Sequence, residues 1–393
     1  SLGFTAQYKT IKGKNVKISQ QEMDRNAAEI VELLKFLDMD EVKQSTIREV
    51  KEDMKRKMGE GENYLQSRVL EMIRDIMGII IENRETTVTK ITFLSGKEAD
   101  VEIEIKTPEV LDEESGFFEK NIGKIKAYYY DGVNVFQDGP RLNLWRAPID
   151  NDILGLEEFG AKKVLEHWKE KNIHLLQHNI RNFEIIEKNH DYAVINVSTE
   201  IAPPVLDWGY KTDYMYIIHR NGMISVKISG KLYGNAPETL PRIGVVMNID
   251  KRFKNVKWLG LGPHESYIDS CSSVKFDLWE RKIEDMHTPY IFPQENGNRH
   301  NVKSFSLEDE RNIRIYFETL DEKFDFSISE YTIENIENAG HTYDLKKADF
   351  LQLKIDMEQY GLGSASCGEE VLEKYRLYCK DFEFSFKFSV FSR

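Results

Sequence analysis

The sequence predicts a mainly β fold, a large antiparallel sandwich behind an N-terminal helical segment. Three observations carry this expectation. Apolar residues keep helical spacing only up to about residue 84, they alternate with a period of two through most of the remaining chain, and turn signals recur between the alternating runs. A chain of 393 residues has room for two or three domains, or for one large β domain with an appendage.

Taken in chain order, residues 20–84 read as two or three amphipathic helices. Ile30, Val31, Leu33, Leu34 and Leu37 recur near helical spacing, and Leu65, Val69, Leu70, Met72, Ile73, Ile76 and Ile80 do so more strongly. The charged stretch 47–58 lies between them, and Gly59-Glu60-Gly61 marks a break. The heptads are not sustained, which favours helices packed on a body over a dimerising coiled coil. The period then changes to two: Val101, Ile103 and Ile105 alternate with Glu102, Glu104 and Lys106. This places a helical leader in residues 1–86 and a β body in residues 87–393.

Within the body, Asp131-Gly132 separates two strand-like runs, and Asn189-His190-Asp191 supplies another turn. Residues 157–171 are the main helical interruption, with Phe159, Val164, Leu165 and Trp168 as an apolar stripe. Asn221-Gly222 divides 210–220 from 223–233 and is the strongest short hairpin signal. Phe382, Phe384, Phe386, Phe388 and Val390 share one face of the last strand. Many strands at short intervals without alternating helices argue for a sandwich and against a parallel α/β sheet.

Composition narrows the function. A formal net charge of -13 argues against nucleic acid or an anionic membrane as the default partner, because both require clustered Lys and Arg. Cys271, Cys367 and Cys379 are too few and too odd for a disulfide framework and fit a reducing compartment such as the cytoplasm. The longest apolar run, 76–81, is far short of the ~20 residues a membrane helix needs. Ser1-Leu2-Gly3-Phe4 has neither the basic start nor the apolar stretch of a signal peptide.

The usual catalytic motifs are missing: no glycine-rich phosphate loop, no Gly-x-Ser-x-Gly elbow, no His-Glu-x-x-His helix. His174 and His178 share a face, but no carboxylate or Cys completes a metal set nearby, so no metal or other cofactor is expected. Three segments stand out. Asp150, Asn151 and Asp152 put three oxygen-bearing side chains in a row where a turn needs only one. Gln294, Glu295, Asn296, Asn298, Arg299 and His300 surround Gly297 and suit either the hydroxyls of a sugar or a solvated loop with an internal Glu–Arg pair. Three glycines and small polar residues in 361–368 admit close backbone approach to a ligand or simply a tight loop. Cys367 in that loop has no base beside it in sequence and reads as an unreactive thiol. Trp208 and Tyr210, and Trp258 ahead of His264 and Glu265, add aromatics next to glycines that suit either sugar stacking or the core.

Five blocks together carry a family resemblance: RLNLWRAPIDND at 141–152, TLPRIGVVM at 239–247, VKWLGLGPHESYIDS at 256–270, MHTPYIFPQENGNRHNV at 286–302, and the run HTYDLKKADFLQLKIDMEQYGLGSASCG at 341–368. In this order they resemble the small chain, or C-terminal domain, of β-galactosidases in glycoside hydrolase family 2, over roughly 118–391. The resemblance implies a galactose-mutarotase-like antiparallel supersandwich that closes over the mouth of a catalytic barrel. It implies that 150–155 is a mobile flap, although Gly155 stands one position later than is usual in the family. It also implies that Asp150, Asn151, Asp152, Gln294, Glu295, Asn296 and Arg299 border the galactoside. Cys367 falls at or beside the place where some members carry a stacking Trp.

Both catalytic carboxylates of a retaining glycosidase, about 5–5.5 Å apart, come from the barrel in this family. This chain has too little alternating β and α pattern to build one. The resemblance therefore implies no catalytic residue here, a catalytic large chain or segment as partner, a lactose-like galactoside as substrate, a homo-oligomer as an open question, and no hydrolysis by the chain alone. Two other readings stay open: a stand-alone aldose 1-epimerase-like enzyme using His264, His287 or His300 with Glu295 as acid and base, and a non-catalytic carbohydrate-binding module with an exposed aromatic platform.

Overall fold

The structure, a computed structural model, describes residues 79–83, 88–93, 100–104, 124–155 and 163–392. The helices expected in 20–78 lie outside these residues, as do 156–162 within the expected helix 157–171. Ile79–Asn83 corrects the sequence reading: it is a strand, not the end of a helix. Isoleucine, three in a row at 79–81, is a residue type that loses side-chain freedom in a helix and is enriched in strands.

Strands are numbered along the chain. The first sheet runs, in spatial order, β1 (Ile79–Asn83), β2 (Val88–Phe93), β3 (Asp100–Glu104), β4 (Lys124–Tyr130), β5 (Val133–Asn143), β10 (Arg242–Asp250), β17 (Phe350–Gln359), β16 (Phe324–Ser329) and β13 (Arg299–Val302). The second runs β12 (Lys275–Lys282), β11 (Asn255–Gly262), β14 (Ser304–Glu308), β15 (Ile313–Thr319), β18 (Phe382–Ser392), β9 (Ile224–Tyr233), β8 (Gly209–His219), β7 (Tyr192–Ala202) and β6 (Gln177–Lys188). From β2 onward every neighbouring pair is antiparallel. The protein is thus mainly β, two antiparallel sheets, as the alternation predicts.

The expected turns are where the hairpins close. Asp131 (φ 49°) and Gly132 (φ 72°) both take left-handed backbone between β4 and β5, the pairing of conformations that matches strand twist. Gly222 (φ 83°) closes β8 onto β9.

Side chains from the facing strands fill one aromatic core. Phe326 of the first sheet stacks on Phe305 of the second at 4.2 Å between centroids, Phe305 on Phe317 at 4.6 Å, and Phe136 of the first sheet on Phe388 of the last strand at 4.9 Å. Phe382, Phe384, Phe386, Phe388 and Val390 are all buried, so that strand's apolar face is core along its whole length. Burying each such ring stabilises the fold by about 1.5–3 kcal/mol relative to leaving it exposed.

Among the described residues, three short α-helices sit outside the sheets: α1 (Asp150–Ile153), α2 (Val164–Glu170) and α3 (Ile333–Asn338). Trp168 is the buried side of α2, as the apolar stripe predicts. Helix α3 is capped by Thr332, whose hydroxyl accepts from the Asn335 N–H at 3.1 Å while Ile333 and Ile336 are buried. Thr332→Ala is expected to cost about 1 kcal/mol of unfolding free energy, read from the urea midpoint at constant slope.

The central strands of the first sheet are buried on both faces. On β17, Leu351, Leu353 and Ile355 join the core, while Gln352, Lys354 and Asp356 point the other way and are buried too. Register carries that polar face across the neighbours, since Asp356 lies opposite Gly244 of β10 and Asp325 of β16, and Lys354 opposite Ser327. What covers this face is the candidate site.

Candidate functional site

The floor of the site is the polar face of β10, β17 and β16. Arg242, wholly buried, donates from Nη2 to Asp356 at 2.9 Å and lies 3.4 Å from Glu295. Lys354 donates to the same Glu295 oxygen at 2.8 Å. Gln359 bridges the Asp356 carboxylate (3.0 Å) and the Asn298 side-chain carbonyl (2.9 Å). Gly244 is required here, because a Cβ on it would fall 2.0 Å from Asp356 Oδ1.

Two acids, Asp356 of the floor and Glu295 of the segment that crosses it, end up with opposite tendencies. Burial alone would raise the Glu295 carboxyl, but Lys354 and Arg242 outweigh it and hold the group below its ordinary value. For Asp356 burial dominates and, against the pull of Arg242 and Lys354, pushes it up to about 7. Burial likewise lowers Lys354, with Glu295 opposing.

Four segments form the rim and hold each other by side-chain bonds to backbone. Residues 286–300 cross the floor, with Gly297 at φ 76° because a Cβ there would meet the Met286 carbonyl at 2.7 Å. Asn296 accepts from Thr288 N–H (2.9 Å) and donates to the Gln294 carbonyl (2.9 Å). Arg299 donates to the carbonyls of Gly297 (2.8 Å) and Pro263 (3.3 Å) and stacks over Trp258 at 5.2 Å. Burial lowers its guanidinium to about 10, with Glu265 opposing. Glu265 ties down the same segment, accepting from Gly297 N–H at 2.7 Å and from the Tyr290 hydroxyl.

Helix α1 is the second segment. Arg146, wholly buried, forms a two-pronged pair with Asp152 (3.1 and 2.7 Å) and donates to the Tyr360 carbonyl at 2.7 Å. Asp150 and Gln294 exchange two bonds, Asp150 N–H to Gln294 Oε1 at 3.1 Å and Gln294 Nε2 to Asp150 Oδ2 at 3.2 Å. Asn151 reaches the loop 361–368, and Asp269 meets that loop from its other side.

The eight predicted site residues therefore do converge on one region, but they differ in what they offer. Asp150 and Cys367 are exposed, Asn151 is half-buried, and Asp152, Gln294, Glu295, Asn296 and Arg299 are buried. Glu295 is not set opposite a histidine: its partners are Lys354 and Arg242, while His300 Nδ1 bonds Asp325 at 2.9 Å. The alternative reading of 294–300, a solvated loop with an internal Glu–Arg pair, does not hold, since Glu295 and Arg299 are buried, Glu295 pairs with Arg242 of β10 and Arg299 with backbone carbonyls. Trp208 and Trp258 are core, not platforms. Large apolar groups exposed beside the site are Tyr290, Ile291, Phe292 and Leu154. Arg242, Lys354, Asp356 and Asp269 belong to the site without standing out in the sequence; the alternation Gln352-Leu353-Lys354-Ile355-Asp356 is the signal that could have found two of them. Among the described residues no group of three or more His, Cys, Asp or Glu is placed to hold a metal ion, and no helix is long and apolar enough to cross a membrane.

Comparison with known proteins bears on the same residues. The family described as beta galactosidase small chain matches residues 112–388, which include all four rim segments and the floor. The β-galactosidase of Kluyveromyces lactis is 32% identical over 274 residues, 68% of this chain and 25% of the relative. That of Actinobacillus pleuropneumoniae is 30% identical over 277 residues, 70% of this chain and 25% of the relative. The chain thus spans about a quarter of the length of these curated relatives. Among solved structures, it is similar to galactose 1-epimerase from Lactobacillus acidophilus with a TM-score of 0.38 and 8% identity, covering 80% of this chain and 98% of that one. The chain belongs to the β-galactosidase small-chain family.

Proposed function

We propose that this chain is the accessory, small-chain part of a glycoside hydrolase family 2 β-galactosidase, working in the cytoplasm and shaping the galactoside site of a catalytic barrel that lies outside it. The observation that carries this reading is the match over 112–388 with relatives four times as long as the matched part. The chemistry of the site supports it. A retaining glycosidase needs one carboxylate free to attack and one acid free to protonate. Glu295 and Asp356 are instead sealed under the rim and engaged by Lys354, Arg242 and Gln359. In this reading Asp150 and Cys367 face the sugar, Asn151, Asp152, Gln294, Asn296 and Arg299 hold the loops that frame it, and Glu295 anchors the frame to the floor. The exposed Tyr290, Ile291 and Phe292 meet the catalytic segment.

The chain alone is the first test. Incubated with nitrophenyl galactoside it is expected to release no nitrophenol, and added to α-galactose it is expected to leave the rate of optical rotation change at the buffer value. Turnover of the galactoside by the chain alone overturns the accessory role. Accelerated mutarotation would favour an epimerase instead.

A further inference from the structure

The side chain of Asn151 has four hydrogen-bonding positions, and all four are filled by one loop. Its Nδ2 donates to the carbonyls of Leu362 (3.0 Å) and Gly363 (2.8 Å), and its Oδ1 accepts from the Ser366 N–H (2.9 Å) and the Ser366 hydroxyl (2.5 Å). An amide side chain offers two donors and two acceptor lone pairs, so nothing remains for a ligand. Asp269 grips the same loop through its backbone amides, accepting from Leu362 N–H at 3.0 Å and Gly363 N–H at 2.8 Å. The Leu362–Gly363 peptide group is thus held at both ends, its carbonyl by Asn151 and its N–H by Asp269, and the peptide groups on either side are each held at one. Gly363 takes φ 63°, and a Cβ on Gly361 would fall 2.7 Å from Asp269 Oδ2, so the glycines admit this close approach. At the other end, Asn151 is fixed by its place in α1, where Asp152 is locked on Arg146 and Asp150 on Gln294.

We infer that Asn151 and Asp269 are a two-jawed clamp that makes α1 and the loop 361–368 a single conformational unit, so Asn151 is a positioning residue and not a sugar contact. The clamp is cooperative: the jaws share the Leu362–Gly363 peptide group, each orients it for the other, and opening one loosens both. Cys367, whose N–H closes a turn on the Ser364 carbonyl at 2.9 Å, rides on this unit and takes its position from it. That the unit borders a galactoside rests on the function proposed above, whereas the clamp itself does not.

Amide hydrogen exchange of the whole chain separates the possibilities. In Asn151→Ala, exchange at Ser366 is expected to quicken at least tenfold, and so is exchange at Leu362 and Gly363, whose N–H groups bond Asp269 and not Asn151. The reciprocal holds for Asp269→Asn, a near-isosteric change that keeps the fold: Ser366 quickens together with Leu362 and Gly363. Acceleration confined to the amide that lost its own acceptor, in either variant, overturns the coupling, and so does no acceleration. With the catalytic segment supplied, loss of the clamp is expected to raise KM for nitrophenyl galactoside severalfold and to lower kcat by a smaller factor, and the opposite split overturns the positioning role. Absence of hydrolysis by the wild-type pair would count against the proposed function and leave the exchange result standing.

Discussion

Arg242→Met is expected to lower the unfolding free energy by about 3–5 kcal/mol, measured by urea unfolding at pH 8, where the wild-type Asp356 carboxyl is mostly ionised. The reason is the company Arg242 keeps. It is wholly buried between Asp356 at 2.9 Å and Glu295 at 3.4 Å, and methionine fills much of the volume but cancels neither charge. Glu295 retains Lys354, so the larger part of the loss falls on Asp356, left with Gln359 as its donor. Folded domains carry roughly 5–15 kcal/mol in total, and a variant with this loss will be short of folded protein at 37 °C. Pairing it with Asp356→Asn should recover part of the loss, since the two side chains are in direct contact and their effects cannot add. Full additivity would mean that the pair is not what Arg242 stabilises.

The contribution of Asp356 to stability should fall as pH rises through the range from about 4 to 7, opposite in sign to that of His178, which burial lowers to about 3. The sign follows from Asp356, whose folded-state carboxyl is pushed up to about 7 by burial, against Arg242 and Lys354, from an ordinary value of 3.8. Between these values the folded protein holds a proton that the unfolded chain has released. Unfolding therefore gives off a proton, and stability declines with pH at a slope approaching ~1.4 kcal/mol per pH unit from this group. The contribution is whole below about pH 4 and gone above about 7. Asp356→Asn keeps an acceptor for Arg242 without the titration, so from pH 4.5 to 7.5 the urea midpoint of the variant should rise relative to that of the wild type at the same pH. Parallel profiles would place the titrating group elsewhere. In Arg242→Met the decline should extend above pH 7, because the cation that restrains Asp356 is gone.

Much of the fold is legible in the sequence because its signals are local. The period-two runs, the Asp131-Gly132 and Asn221-Gly222 turns, and the phenylalanine face of 382–390 all report what a single strand buries. The site is legible only as an address. Asp150–Asp152, 294–299 and 361–368 stand out for their polar and glycine content, and the structure joins them through Gln294 and Asn151. The role of each residue is not legible. Gln352-Leu353-Lys354-Ile355-Asp356 alternates as a half-exposed strand would, yet its polar face is sealed by a segment that precedes it by some fifty residues, and no local pattern records such a cover. Glu295 and Arg299, whose residue types suit sugar contacts, are held by groups inside the body. Ile79–Asn83 reads wrongly as helix because three isoleucines in a row satisfy both a helical and a strand pattern.

The central claim, that this chain supplies loops to a catalytic segment it does not contain, is tested most directly by titration. A fixed amount of the catalytic segment of the same β-galactosidase is mixed with increasing amounts of this chain, and nitrophenyl galactoside hydrolysis is measured. No hydrolysis is expected from the chain alone, and the rate should rise with added chain and saturate near one chain per catalytic segment. A catalytic segment that is fully active without the chain, and unchanged by it, would mean that the chain supplies nothing to the galactoside site.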